Sequence, residues 1–439
     1  MNISGLSFEA LPPISIPFRF FLAAPLFALL SAFLILYSGQ DIWLSRWHPT
    51  LLAVTHGFTM GFLASAMLGA LIQILPVVSG IGFYKVKLVG TFCHLLHLAG
   101  TLALIANFIA PNKILLIIAL ACLALGFTLY GLSAFNVVLK KLSQGATIIG
   151  IRFAVIAMMV TAGLGIMLLA RSYGIGWLNW LSYDKGLTDL HAIWGGIGWA
   201  SMLIIAVSFQ VIPMFHVAPQ FPKLVSRYLP LGLFLTLLFL SLTLIAGNYL
   251  NVLAIILLVI CCLYSLGAWQ ALKQRKRKIP DTTVMYWQLA FASLFVIFMM
   301  CIIPIPLMPE VIQSKYSLLV GAAFGYFFLI SIIQGMLLKI MPFLSYTHLQ
   351  QRCLSNFEGM QYLPNMHEFL AKHHAKYLFY MHVTSGLLLL LTIIFPVLYQ
   401  LLAVSLIVEF SWLLFLMMKT VNRYQQSLVK ITALENKSC

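Results

Sequence analysis

Twelve long apolar runs separated by short charged loops leave this chain few ways to fold. They fall at roughly 17–38, 50–79, 87–110, 113–138, 148–171, 190–215, 228–247, 251–272, 284–305, 316–342, 376–396 and 399–419. Each reaches the ~20 residues that a helix needs to cross a hydrocarbon core of about 30 Å. In lipid every backbone N–H and C=O must be satisfied within its own segment, so runs of this length read as α-helices. Apolar residues make up 62% of the 439 positions and charged residues 8%, which excludes a soluble globular protein. The expected fold class is an all-α polytopic membrane protein, with 1–439 as a single transmembrane domain. The segment from Met1 to Ile16 carries no positive charge and contains Glu9, Pro12 and Pro13, so it does not read as a cleaved signal peptide.

The net charge of +16 is no sign of nucleic-acid binding, because it is sorted to one face. On the side of the N-terminus lie Arg19, Lys85, Lys87, Lys140, Lys141, Arg152, Lys223, Arg227, the run from Lys273 to Lys278, Arg352, Lys372, Lys376 and the C-terminal tail. The other side has Arg46, Lys113, Arg171, Lys185 and Lys315. The positive-inside bias predicts both termini in the cytoplasm of a multi-pass protein whose partner is the lipid bilayer. Trp43, Trp47, Trp177 and Trp180 are then expected at the outer interface. The seven cysteines form no CxxC and are read as thiols.

One stretch, Val54-Thr55-His56-Gly57-Phe58-Thr59-Met60-Gly61-Phe62, puts an imidazole about two turns inside the second span. An ionisable group at that depth is costly without a partner and marks a functional candidate. Gly57, Gly61, Ser65 and Gly69 recur every fourth position, giving a smooth face for a neighbouring helix or a flat cofactor.

A repeat organises the rest. Gln73-Ile-Leu-Pro76, Gln210-Val-Ile-Pro213 and Lys339-Ile-Met-Pro342 close spans 2, 6 and 10, and an aromatic residue lies fourteen positions before each proline: Phe62, Trp199 and Phe328. Four spans separate successive prolines. Three pseudo-symmetric four-helix units follow, at approximately 1–141, 142–278 and 279–439, with spans 2, 6 and 10 lining the middle of the bundle.

Twelve spans, inward termini and a threefold repeat resemble the catalytic subunit I of the haem–copper oxidases. The match is closest at Thr55-His56-Gly57-x-x-Met60-x-Phe62, similar to the helix whose His is an axial haem ligand in that family. Span 6, His191-Ala-Ile-Trp194-Gly-Gly196-Ile-Gly198-Trp199, resembles the copper-ligating helix of cbb3-type members. The resemblance implies a bound haem, b-type, on His56, with His191 or His382 as further cofactor-binding residues, and copper as a second possible metal. The chain departs from the family where Val320 and Ala322 stand in place of two histidines, and span 7 has none. It therefore looks more like divergent members such as the NnrS type, linked to nitric-oxide metabolism, without a complete oxygen-reducing centre. Whether it is an enzyme stays open. The resemblance implies a bacterial inner membrane as the location and respiratory or nitric-oxide-related redox metabolism as the role, with a separate redox partner or respiratory-complex subunit. The alternative readings are a multi-span transporter or channel using intramembrane histidines for protons or metal ions, and a non-catalytic structural subunit.

Other residues add candidates. His94 and His97 share a face of span 3 beside Cys93 and are chemically able to hold a metal. Glu409 is the one carboxylate deep in a span, either a proton relay or a partner for an intramembrane His. His216 is expected to be solvated, Lys339 to snorkel to the inner surface, and the segment from Ser345 to His374 to form a solvated loop.

Overall fold

The computed structural model describes residues 11–140, 145–174, 185–245, 251–276, 278–279, 281–354 and 357–435. Glu9, Lys141, Trp177, Trp180 and most of the outer segment expected between Ser172 and Asp189 lie outside these residues.

Every element among them is helical. Twelve helices are long and apolar enough to cross a membrane: α1 Ser15–Ser38, α2 Pro49–Ser79, α3 Val86–Ile109, α4 Lys113–Lys140, α5 Ala146–Ser172, α6 Gly186–His216, α7 Lys223–Leu244, α8 Val252–Lys273, α9 Thr282–Ile302, α10 Glu310–Cys353, α11 Lys372–Ile394 and α12 Pro396–Leu434. The protein is an all-helical, multi-pass chain suited to a lipid bilayer. Burial within the fold covers 83% of the spanning window of α2 and 72% of that of α6. The window of α10 reaches 50%, level with α3 and below α1 at 56%, so α10 does not share the deep burial expected of it.

The chain divides into two compact units. The first comprises Met1–Pro12, Ala70–Ile279 and Ala290–Leu329. Within it α3, α4, α5 and α6 pack in sequence, and α7 lies against α5 and α8. Arg152 of α5 donates two hydrogen bonds, at 3.1 and 2.8 Å, to the Val138 carbonyl near the end of α4. A cation on the unsatisfied carbonyls of a helix C-terminus is favourable. Trp194 of α6 donates to Ser241 of α7 at 2.8 Å, which satisfies a buried indole N–H.

The second unit comprises Pro13–Gly69, Pro280–Leu289 and Ile330–Cys439. Here α1 packs along α12 and α2, and α12 also meets α10 and α11. The start of α2 is written locally: His48 is the N-cap, its Nδ1 accepting from the Thr50 N–H, and Pro49 takes the first helical position.

Two helices run past the apolar stretches, α10 to Cys353 and α12 to Leu434. Their extensions and the short turns at Phe357–Tyr362 and Met366–Phe369 enclose a core of Leu349, Cys353, Phe369, Tyr424 and Ile431. The solvated loop expected from Ser345 to His374 is thus replaced by helix and packed turns. The physical reason is the helical spacing of Leu349 with Cys353 and of Tyr424, Leu428 and Ile431, which buries one stripe of each extension. Trp43, expected at the outer interface, is only 2% exposed, whereas Trp47 is half-buried under the Arg46 guanidinium at 4.5 Å. The six described cysteines are free thiols.

Candidate functional site

Three spans share an unusual backbone. Gly57–Ala64, Trp194–Ser201 and Ala323–Ile330 each form an eight-residue π-helix, a wider turn than α that is rare and frequently found at functional sites. Each starts nineteen residues before its proline, at Gly57 for Pro76, Trp194 for Pro213 and Ala323 for Pro342. Phe62, Trp199 and Phe328 sit inside these turns and are all buried. In α6 the Ser201 hydroxyl donates to the Gly196 carbonyl at 2.8 Å, covering an acceptor that the wider turn moves out of line.

His56 is the last residue before the first π segment. It is half-buried, and its Nδ1–H donates to the Leu52 carbonyl at 2.8 Å. His191 lies three residues before the second π segment, with its Nδ1–H donating to the Thr161 carbonyl of α5 at 3.1 Å. A Cβ on Gly165 would approach His191 Cε1 to 2.9 Å, so only glycine leaves room for that ring. A carbonyl acceptor fixes the proton on Nδ1 in both cases and leaves the basic lone pair on Nε2. This tautomer is the one that metal-ligating histidines use, with the second nitrogen held by a carbonyl or carboxylate.

The small-residue face of α2 takes a helix and not a flat group. A Cβ on Gly57 would land on the Ser31 hydroxyl, and one on Gly61 on the Phe27 side chain. At Gly69 it would come within 2.8 Å of Phe20 Cβ. All three neighbours belong to α1, so this face is already filled.

His382 is held by two side chains. With the Glu409 carboxylate as acceptor, Nδ1–H donates to Oε1 at 2.8 Å and the Ser331 hydroxyl donates to Nε2 at 2.6 Å. All three residues are fully buried. Both ring nitrogens of His382 are engaged, so taking iron would require Ser331 or Glu409 to let go. Beside it, Tyr286 lies with its ring centroid 5.5 Å from that of His382, and the Gln334 amide donates to the Tyr286 hydroxyl at 3.1 Å. Lys339, expected to snorkel, forms a partly exposed ion pair with Asp281 at 2.7 Å. Asp281 also caps α9, its Oδ1 accepting from the Thr283 N–H at 3.0 Å.

On α3, His97 is buried and meets the Phe127 ring edge-on at 5.9 Å, while His94 is half-buried. Among the described residues no three His, Cys, Asp or Glu side chains converge as metal donors. His216 is 3% exposed and not solvated as expected: it ends α6 where Val217 turns left-handed at φ 52° and accepts the Lys276 N–H. Ser331, Gln334, Tyr286 and Asp281 were not singled out in the sequence. Their available signal is polarity inside otherwise apolar runs, with Ser331 and Gln334 at i and i+3.

No family profile and no curated protein matches this chain.

Proposed function

We propose that this chain is a haem-binding, oxidase-like protein of a bacterial inner membrane, built from three four-helix repeats and lacking a complete oxygen-reducing centre. The observation that carries the reading is the shared state of His56 and His191. Each holds its Nδ1 proton on a backbone carbonyl, and each lies within three residues before a π segment. His56 is the proposed axial ligand and His191 the second candidate. The equal offset of the three π segments from Pro76, Pro213 and Pro342 supports the repeat.

A haem on such a ligand would supply one-electron exchange or a site for a small gas such as nitric oxide. The protein's own contribution is to fix the imidazole tautomer and ring orientation through the Leu52 and Thr161 carbonyls. The filled glycine face of α2 is no bed for the macrocycle, and His382 is better suited to hydrogen bonding than to iron. Copper, if bound, would use His94 and His97, and electrons would come from a separate redox partner.

The test is the absorbance spectrum and haem content of the purified full-length protein. A Soret band with reducible α and β bands is expected. His56→Ala should lose the haem or turn it high-spin, and metal analysis decides copper. Purified protein that takes up no haem when produced with haem in excess would overturn the reading. No sustained oxygen consumption is expected with an artificial electron donor.

A second reading, a proton-coupled membrane protein, is favoured by one specific observation: the buried Glu409–His382 pair.

A further inference from the structure

The haem reading leaves unused a column of polar side chains within one unit. It begins at Glu409, ten residues into Tyr399–Glu435, and at His382, ten residues into α11. At 1.5 Å of rise per residue both lie about 15 Å from the start of their helices. From His382 the column passes to Ser331 and to Gln334 one turn along α10, then to Tyr286 of α9. Five residues further along α10 and five back along α9 stand Lys339 and Asp281, whose side chains are 23% and 26% exposed. The column thus runs from full burial to a partly exposed ion pair. Its walls are apolar: Phe379 packs edge-on against Tyr286, and Phe58 and Phe62 of α2 cover Phe410 beside Glu409.

An isolated carboxylate or imidazolium there would carry a large desolvation cost. The pair avoids it by holding one proton between two basic sites, as imidazolium with carboxylate or as imidazole with carboxylic acid, both neutral overall. A second proton gives imidazolium with carboxylic acid and one net positive charge. Ser331 then turns its hydroxyl to accept from Nε2–H. The Gln334 Oε1 atom is buried without a hydrogen-bond partner, so an acceptor is already present in the column beside the Tyr286 hydroxyl.

We propose that Glu409 and His382 form an intramembrane proton-binding site, connected through Ser331, Gln334 and Tyr286 to the Lys339–Asp281 pair at the membrane surface near Pro342. Facing the pair are Tyr286 of α9 and Ser331 of α10, with Gln334 one turn further along and the Phe379 and Phe410 rings as walls, while Lys339 and Asp281 stand at the far end of the column. Ser331, His382 and Glu409 also hydrogen-bond in the order of a nucleophilic triad. Full burial of all three admits a proton but no acyl substrate. The proposal holds with or without haem.

The test is infrared spectroscopy of the full-length protein in lipid nanodiscs, following the protonated-carboxyl band as pH is lowered and on transfer to D2O. A band that grows at low pH and is lost in Glu409→Gln is expected. Asp281→Asn should keep the band but slow its exchange on the order of tenfold. If Glu409→Gln does not fold, ring-labelled histidine in the wild type reads the same event, through an imidazolium band rising together with the carboxyl band. A carboxyl band in the wild type that ignores pH and D2O overturns the site. Unchanged exchange in Asp281→Asn overturns the connecting column. Covalent labelling of Ser331 by a fluorophosphonate would replace the proton role with a nucleophilic one.

Discussion

The imidazole of His382 and the carboxylate of Glu409 meet at 2.8 Å with neither side chain exposed. Both neighbours in the column, Ser331 and Gln334, are fully buried as well. Removing one partner from such a pair strands the other in a low-dielectric interior, which costs about 3–5 kcal/mol when the remaining group stays charged. Glu409→Leu should therefore destabilise the protein by about 3 kcal/mol, because the buried His382 ring loses the acceptor of its Nδ1–H. The double variant Glu409→Leu with His382→Leu should recover much of that loss, since two apolar side chains leave no orphaned charge. Thermal unfolding of the single and double variants in one detergent checks this. A double variant no better than the sum of the singles would rule it out.

Gly61 should tolerate no side chain. A Cβ there coincides with Phe27 of α1, so Gly61→Val is expected to cost about 1–3 kcal/mol in overpacking. Phe27→Ala in the same chain should relieve part of it. A Gly61→Val protein as stable as the wild type would show that α1 and α2 do not meet there.

Glu368 gives the segment outside the spans a pH dependence. The Asn365 backbone N–H and the Arg423 guanidinium both bond its carboxylate and hold it below the usual carboxylate range. A depressed folded-state value stabilises above the ordinary carboxylate value of about 4.3 and is lost as pH falls through the folded value. Amide exchange over 357–370 should quicken as pH drops below about 4, beyond the intrinsic pH effect, and Glu368→Gln should remove that excess. Identical profiles for the two proteins would exclude a role for Glu368.

Topology is testable directly. Reporter fusions after Lys141 and Lys278 should be active only as cytoplasmic reporters, and those after Lys113 and Lys185 only as periplasmic ones, because Lys and Arg gather on the first side. Inversion at two sites would refute the orientation.

The amino-acid order determined the spans, because lipid leaves the backbone no alternative to helix and hydrophobic length is directly countable. It also placed the three prolines and the aromatic residues that the π segments enclose. Local sequence missed the extensions of α10 and α12: their stripes at Leu349, Cys353, Tyr424 and Ile431 are helical in period but too polar between to read as spans. The π turns show no hydrophobic stripe of their own and became visible only as backbone geometry, at a constant nineteen residues before each proline.

The histidines divide the same way. That His56 and His382 lie inside spans is plain in the sequence, and so is the cost of burying them. What each imidazole does with its two nitrogens depends on residues far away in the chain or one turn behind. Leu52 sets the tautomer of His56, whereas Ser331 and Glu409, 51 and 27 residues from His382, claim both of its nitrogens. The glycine face of α2 was legible as a place of close approach. Only the tertiary structure decided that Ser31, Phe27 and Phe20 fill it, because a smooth surface fixes the distance of a neighbour and not its identity.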